Sequence, residues 1–252
     1  MPLRTAVVLA GGAGLRLRPL TNDRPKVMIE VAGRPLLDWT LEWLKRNGVH
    51  KVVIGVAYRA ESIMKHLGVG KSFGLEVAYS RHTVEGGTAE GFRLAIERHV
   101  ADSDFFAING DELTNVKLQQ LAALHLQHKS PATITVSPLP SPFGVVELNG
   151  ADVFAFREKP LLSSVFVSVG VYAFGEQIVS YLPRTGDIER TVFPRLAEER
   201  LLKAFKHDGF WMTVNTVKDL DEVEKVLLNR ESEDLKSTRQ SMHSRRRQIN
   251  EV

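Results

Sequence analysis

The segment Thr5-Ala-Val-Val-Leu-Ala10 runs straight into Gly11-Gly12-Ala13-Gly14. An unbroken apolar run of this length suits a strand buried on both faces, as in parallel sheets covered by helices. The glycines at its end permit a sharp turn and a close approach of backbone N–H groups to an anion. A chain that begins this way is held to a sheet-centred α/β architecture, with the loop at the C-terminal end of a strand.

The following residues extend that pattern. Pro35 to Asn47 reads as a helix, with Leu36, Leu37, Thr40, Leu41 and Leu44 at helical spacing and Gly48 as its stop. Lys51 to Ala57, Leu75 to Ser80 and Asp104 to Asn109 read as strands; Ala60 to Leu67, Thr88 to His99 and Val116 to His128 read as helices. Repeated strand–helix–strand units predict a doubly wound, mostly parallel sheet with right-handed crossovers. From Ala132 the rhythm changes. Ala132 to Val136, Gly144 to Leu148, Val153 to Phe156 and Val165 to Phe174 are strands at short intervals, a small β-rich insertion. Helices return at Glu189 to Glu199 and from Val217 to about Asn229.

Composition excludes several classes. The chain has no cysteine, which removes disulfides, thiolate metal sites and thiol nucleophiles. Its formal charge of +3 is small for 252 residues, so no nucleic-acid partner is expected. No apolar run is long enough to span a bilayer, and the first apolar run is too short for a signal peptide, so the expectation is a cytoplasmic protein without a membrane partner. Arg245-Arg246-Arg247 lies in a polar stretch, 231–252, that reads as a solvated tail. His125 and His128 stand three apart on a helix without a third ligand and read as an exposed face.

The glycine loop has competing owners. A dinucleotide fingerprint needs a third glycine in register, and Arg16, Arg18 and Pro19 stand there instead. A P-loop needs Gly-Lys-Ser/Thr at its end, which is absent. Arg16, Arg18, Arg24 and Lys26 make the loop strongly cationic, which suits a triphosphate. Asp111, after Asn109-Gly110 at the end of a predicted strand, is placed where open α/β sheets bind ligands, and a carboxylate there suits Mg²⁺ with phosphate oxygens.

The run Leu9-Ala-Gly-Gly-Ala-Gly-Leu-Arg-Leu-Arg-Pro-Leu-Thr21, then Arg24-Pro25-Lys26 and Val31-Ala-Gly-Arg-Pro35, resembles the sugar-1-phosphate nucleotidyltransferases. These include glucose-1-phosphate thymidylyl- and cytidylyltransferases and mannose- or heptose-1-phosphate guanylyltransferases. The resemblance implies the Rossmann-like fold of nucleotide-diphospho-sugar transferases and a Mg²⁺-dependent reaction of an NTP with a sugar 1-phosphate. It implies one domain over 1–230, with a nucleotide half at 1–115 and a sugar-phosphate half at 116–230, and a dimer or tetramer as its assembly. Leu9, Ala10, Gly11, Gly12, Ala13, Gly14, Gly87, Thr88 and Gly110 would hold the nucleotide, with Val84 to Ala89 reading the base. Arg16 would neutralise the β- and γ-phosphates, Lys26 would sit at the α-phosphate, and Asp111 would bind the metal. By the same resemblance Gly144 and Val169 would line the sugar, Glu158 would bond its hydroxyls and Lys159 would hold its phosphate.

Three departures stand out. Leu15 and Ser168 replace the family's usual Thr and Asn. After Trp211 the family places a metal-binding aspartate two or four residues on, where this chain has Thr213 and Asn215. Asn215 as a neutral second ligand, Asp111 with phosphates and water alone, Asp208 as a substitute, or weakened catalysis are the open alternatives. A binding or regulatory protein on the same fold, and an enzyme with a non-sugar acceptor such as phosphocholine, are the rival readings.

Overall fold

The computed structural model describes residues 3–228; the expected tail at 231–252 lies outside them. The elements in chain order are β1 (Thr5–Leu9), β2 (Glu30–Val31), β3 (Arg34–Pro35), α1 (Leu36–Arg46), β4 (Lys51–Val56), α2 (Ala60–Leu67), β5 (Glu76–Arg81), α3 (Gly87–His99) and β6 (Asp104–Asn109). Then come β7 (Glu112–Thr114), α4 (Leu118–His128), β8 (Ala132–Pro140), β9 (Val145–Asn149), β10 (Asp152–Arg157), β11 (Leu161–Gly175), α5 (Ile188–Glu198), β12 (Leu202–Lys206), β13 (Trp211–Thr213) and a helix over 217–228.

Seven strands form one sheet in the order β12-β8-β11-β6-β1-β4-β5. All pairings are parallel except those of β11, which runs antiparallel to both β6 and β8. The doubly wound fold predicted from sequence is therefore present, and β8 and β11 extend the main sheet while β9 and β10 form a separate hairpin. The chain leaves β1 for β4 and β5, then returns to lay β6 on the other side of β1. That reversal opens a crevice beyond the C-terminal ends of β1 and β6, the standard ligand position in such sheets.

Alternate side chains of each strand feed two layers. Val8, Val52 and Ile54 pack with Leu37, Leu41 and Leu44 of α1, Ile63 of α2 and Leu121 of α4. Val7, Val53, Phe105 and Phe174 pack on the opposite face with Phe92 of α3 and Val192 and Phe193 of α5. A smaller cluster, including Leu17, Ile29, Leu113, Val214, Val223 and Leu227, seats the glycine-loop turn against the 217–228 helix.

His125 corrects the sequence reading: it is fully buried, whereas His128 is exposed. Leu118, Leu121, Ala122 and His125 form the inward stripe of α4, and the imidazole follows that stripe inside. Its Nδ1 lies 2.9 Å from Thr133 Oγ1 and its Nε2 3.2 Å from Asp104 Oδ1. Burial holds its pKa below the ordinary 6.5, with Asp104 opposing. The unfolded chain then binds the proton more readily, so this residue's contribution is complete above the unfolded pKa and declines as pH falls below it. The urea midpoint of the native protein is expected to fall from about pH 7.5 to about pH 5.5 more steeply than that of His125→Gln. Parallel pH profiles would contradict the assignment.

Candidate active site

The crevice is a cleft of about 260 Å³. Leu9, Gly11, Gly12, Lys26, Gly87, Thr88 and Asp111 line it, all expected from sequence. So do Val84, from the expected base-side segment, and Asn109, beside Gly110, together with Val27, His82 and Asp187, which were not expected. Gly110 joins the loop to β6, its N–H donating to Leu9 O at 2.8 Å, and Ala10 is buried with its N–H on Gly55 O. Gly14 follows Ala13 with φ of 60°, and its carbonyl accepts from Thr21 Oγ1.

Gly11 is required by close packing. A Cβ there would stand 2.6 Å from His82 Nε2, and one on Gly91 would stand 3.3 Å from the same atom. The imidazole is thus wedged between the glycine loop and α3. Its Nδ1 donates to Thr83 O at 2.9 Å, and its Nε2 is buried without a hydrogen-bond partner among the described residues.

Lys26 is the structural centre of the site. It is 8% exposed, and its Nζ lies 2.5 Å from Asp111 Oδ2 and 3.0 Å from Asn215 Oδ1. Arg16, exposed on the turn after the loop, also reaches Asn215 Oδ1, at 3.2 Å. The other two cations of the loop are elsewhere: Arg24 pairs with its neighbour Asp23, and Arg18 is exposed and outside the cleft lining.

Two short strands bring Asn215 to Asp111. β7 begins directly after Asp111, and β13 pairs antiparallel with it, setting Thr213 opposite Glu112. The chain beyond β13 is then pinned. Asp219 Oδ2 accepts from the N–H groups of Asn215 and Thr216 at 2.8 Å, while Thr216 Oγ1 accepts from Asp219 N–H. This reciprocal bonding caps the 217–228 helix. Asn215 Nδ2 donates to Thr213 Oγ1 at 3.2 Å, which turns Oδ1 toward the cations.

Glu112 does not point at the same place. It accepts from Trp211 Nε1 at 2.8 Å, and burial, aided by the neighbouring Asp111 charge, pushes its pKa up to about 8. Near neutral pH it is therefore mainly the uncharged acid. Trp211 packs against the core and also makes this bond. The other charges of the cleft are Lys26, Asp111 and Asp187 in its lining, with Arg16 beside Asn215.

The sugar-side residues lie outside the lining of the cleft. Gly144 and Glu158 come together across the hairpin, since a Cβ on Gly144 would meet Glu158 Oε2 at 3.0 Å. Lys159 is exposed in the turn after β10 with φ of 45°. Val169 is buried in β11, just before Gly170, which packs on Asn109 and Glu112. Thr88 spends its hydroxyl on α5, accepting from Ile188 N–H and donating to Glu189. Asp208 is exposed, and among the described residues no three His, Cys, Asp or Glu side chains converge to hold a metal.

A doubly wound sheet, a glycine loop at its switch point and a Lys–Asp pair facing that loop define an α/β protein with a ligand crevice at the C-terminal ends of its strands. The chain belongs to the nucleotidyl transferase family, whose model matches residues 5–230. It is 36% identical over 222 residues to the mannose-1-phosphate guanylyltransferase catalytic subunit beta of Drosophila melanogaster, covering 85% of this chain and 60% of that protein. It is 35% identical to the protein of the same name in Dictyostelium discoideum, covering 85% and 62%. The chain thus spans about 60% of the length of these relatives. Among solved structures, HddC from Yersinia pseudotuberculosis shares the fold with a TM-score of 0.71 at 22% identity, over 89% of this chain and all of that one.

Proposed function

We propose that this chain transfers a nucleotidyl group from an NTP to a sugar 1-phosphate, giving an NDP-sugar and pyrophosphate. The observation that carries the reading is the meeting of Lys26, Arg16, Asp111 and Asn215 beside the glycine loop at the switch point of the sheet. Loop glycines Gly11, Gly12 and Gly14 let the triphosphate approach the backbone, with Gly87 and Thr88 on the base side. Arg16 neutralises the β- and γ-phosphates, and Lys26 holds the α-phosphate. Glu158 and Gly144 take the sugar hydroxyls, Val169 lines the sugar, and Lys159 brings the acceptor phosphate in line. That phosphate is already an anion, so the residues' task is to gather anions and offset charge on the transferring group rather than to remove a proton.

The site fits Mg²⁺ only together with the nucleotide: Asp111 would supply one hard carboxylate oxygen, and phosphate oxygens the others. When bound, Mg²⁺ supplies positive charge to the phosphate oxygens. A cytoplasmic location and a dimer or tetramer as the assembly belong to the same proposal.

Pyrophosphate release measured for four NTPs against several sugar 1-phosphates tests this. GTP with mannose 1-phosphate is the first pair, because relatives at 35–36% identity carry that activity in their names. Release with at least one sugar 1-phosphate is expected. Nucleotide binding without release from any pair would leave a binding or regulatory protein, and release only with phosphocholine would move the acceptor out of the sugars.

A further inference from the structure

The carboxamide of Asn215 carries an unusual load. One oxygen accepts from both Lys26 Nζ and Arg16 Nη2, at 3.0 and 3.2 Å. Its orientation is fixed from three sides, by Thr213 Oγ1 on the amide nitrogen, Asp219 on the backbone N–H and the β7–β13 register before it. An oxygen aimed at two cations is not free to bind a third.

Asp111 is little better provided. Its Oδ2 is 2.5 Å from Lys26 Nζ, leaving Oδ1 as the uncommitted oxygen. Glu112 is turned to Trp211. Mg²⁺ needs about six oxygens near 2.1 Å in octahedral order and gives up water reluctantly. One carboxylate oxygen beside a lysine ammonium falls far short of that.

We propose, resting on the nucleotidyl-transfer reading, that Asn215 is a positioning residue that clamps Lys26 and Arg16 at the phosphate cradle and is not a metal ligand. Asp111 accordingly takes a divalent cation only when nucleotide phosphates already chelate it, and the protein holds no resident metal of its own. Lys26 spends two of its three donors on Asp111 and Asn215, so the third is presented to the nucleotide in a set direction before any ligand arrives.

The two roles separate in a binding cycle. A clamp acts on phosphates whether or not metal is present; a ligand acts only through the metal. Calorimetric affinity for a non-hydrolysable NTP analogue is measured for the native protein, Asn215→Leu and Asn215→Ala, each with EDTA and with Mn²⁺. The clamp predicts a loss of roughly 10-fold in both conditions, as expected for cations left without their hydrogen-bonded support. A loss seen only with Mn²⁺ would make Asn215 a ligand and overturn the proposal. Water-proton relaxation supplies a second readout on the unaltered protein: Mn²⁺ alone is expected to show no enhancement, which appears once the analogue is added. Enhancement of comparable strength without nucleotide would also overturn it, while leaving the nucleotide reading intact. Failure of the analogue to bind in any condition would instead remove the nucleotide reading, and this inference with it.

Discussion

Lys26→Ala should lower kcat/KM for NDP-sugar formation by roughly 100-fold or more, about 2.7 kcal/mol of barrier. The side chain is nearly buried, touches Asp111 and Asn215, and lines the cleft beside Gly12. Its removal takes away a directed charge and leaves Asp111 without its nearest cation. Lys26→Arg should rescue little, since a planar guanidinium cannot enter the same narrow site with the same donors. Asp111→Ala should cost as much alone. The double variant should lose less than the sum of the two, because the side chains are in contact and act as a unit. Steady-state kinetics on the pair identified by the substrate panel measures all three. Near-normal turnover in Lys26→Ala would sink the assignment of this residue.

The largest stability effect is expected from Phe174→Ala. The ring is fully buried in β11 and meets four other rings. It stacks on Tyr172 at 5.6 Å and 1°, and makes edge contacts with Phe92, Phe105 and Phe193 at 5.6, 6.2 and 6.4 Å. Those neighbours come from the sheet and from helices α3 and α5, so collapse onto the vacated space would need several elements to move together. Deleting such a side chain costs about 3–5 kcal/mol. For a domain of this size that lowers the melting temperature by roughly 10 °C. Phe174→Leu should lose less than half as much, since most of the volume remains. Scanning calorimetry decides it, and a melting temperature within about 2 °C of the native protein would mean that the cluster closes up freely.

What could be read before folding was what is written locally. The strand from Thr5, the loop glycines and the helices at Pro35 and Thr88 each announce themselves within a few residues. Lys26 and Asp111 were singled out by the resemblance of the segments that hold them, and Asp111 also by its place after a strand; the fold brings the two into contact. Residues joined only by the tertiary fold were not. His82 and Asp187 reach the cleft from β5's end and α5's start, and nothing in either segment points to the other. Asn215 was named from the resemblance as a candidate metal ligand, but its contact with Lys26, across 189 positions and through the pairing of the short strands β7 and β13, was not foreseen. β12 was missed because Leu202 to Lys206 alternates weakly beside charged neighbours, and its partner β8 supplies the reason for its extended form. The four-cation loop was over-read, since Arg24 is satisfied by the residue before it. His125 was readable after all: it falls on the same helical stripe as Leu118, Leu121 and Ala122, and its polarity outweighed its position.

The imidazole of His82 fills a slot whose two walls are Gly11 and Gly91. Substitutions at these three places are therefore conditional on one another. A methyl at position 11 demands a smaller residue at 82 and a shift at Ala57, whose Cβ would stand 2.9 Å away, and one at 91 demands that Leu9 Cδ2, also at 2.9 Å, give way before the imidazole does. Mutational routes through the floor of this cleft therefore have an order, and a survey of single changes would miss any combination in which several of these neighbours give way together.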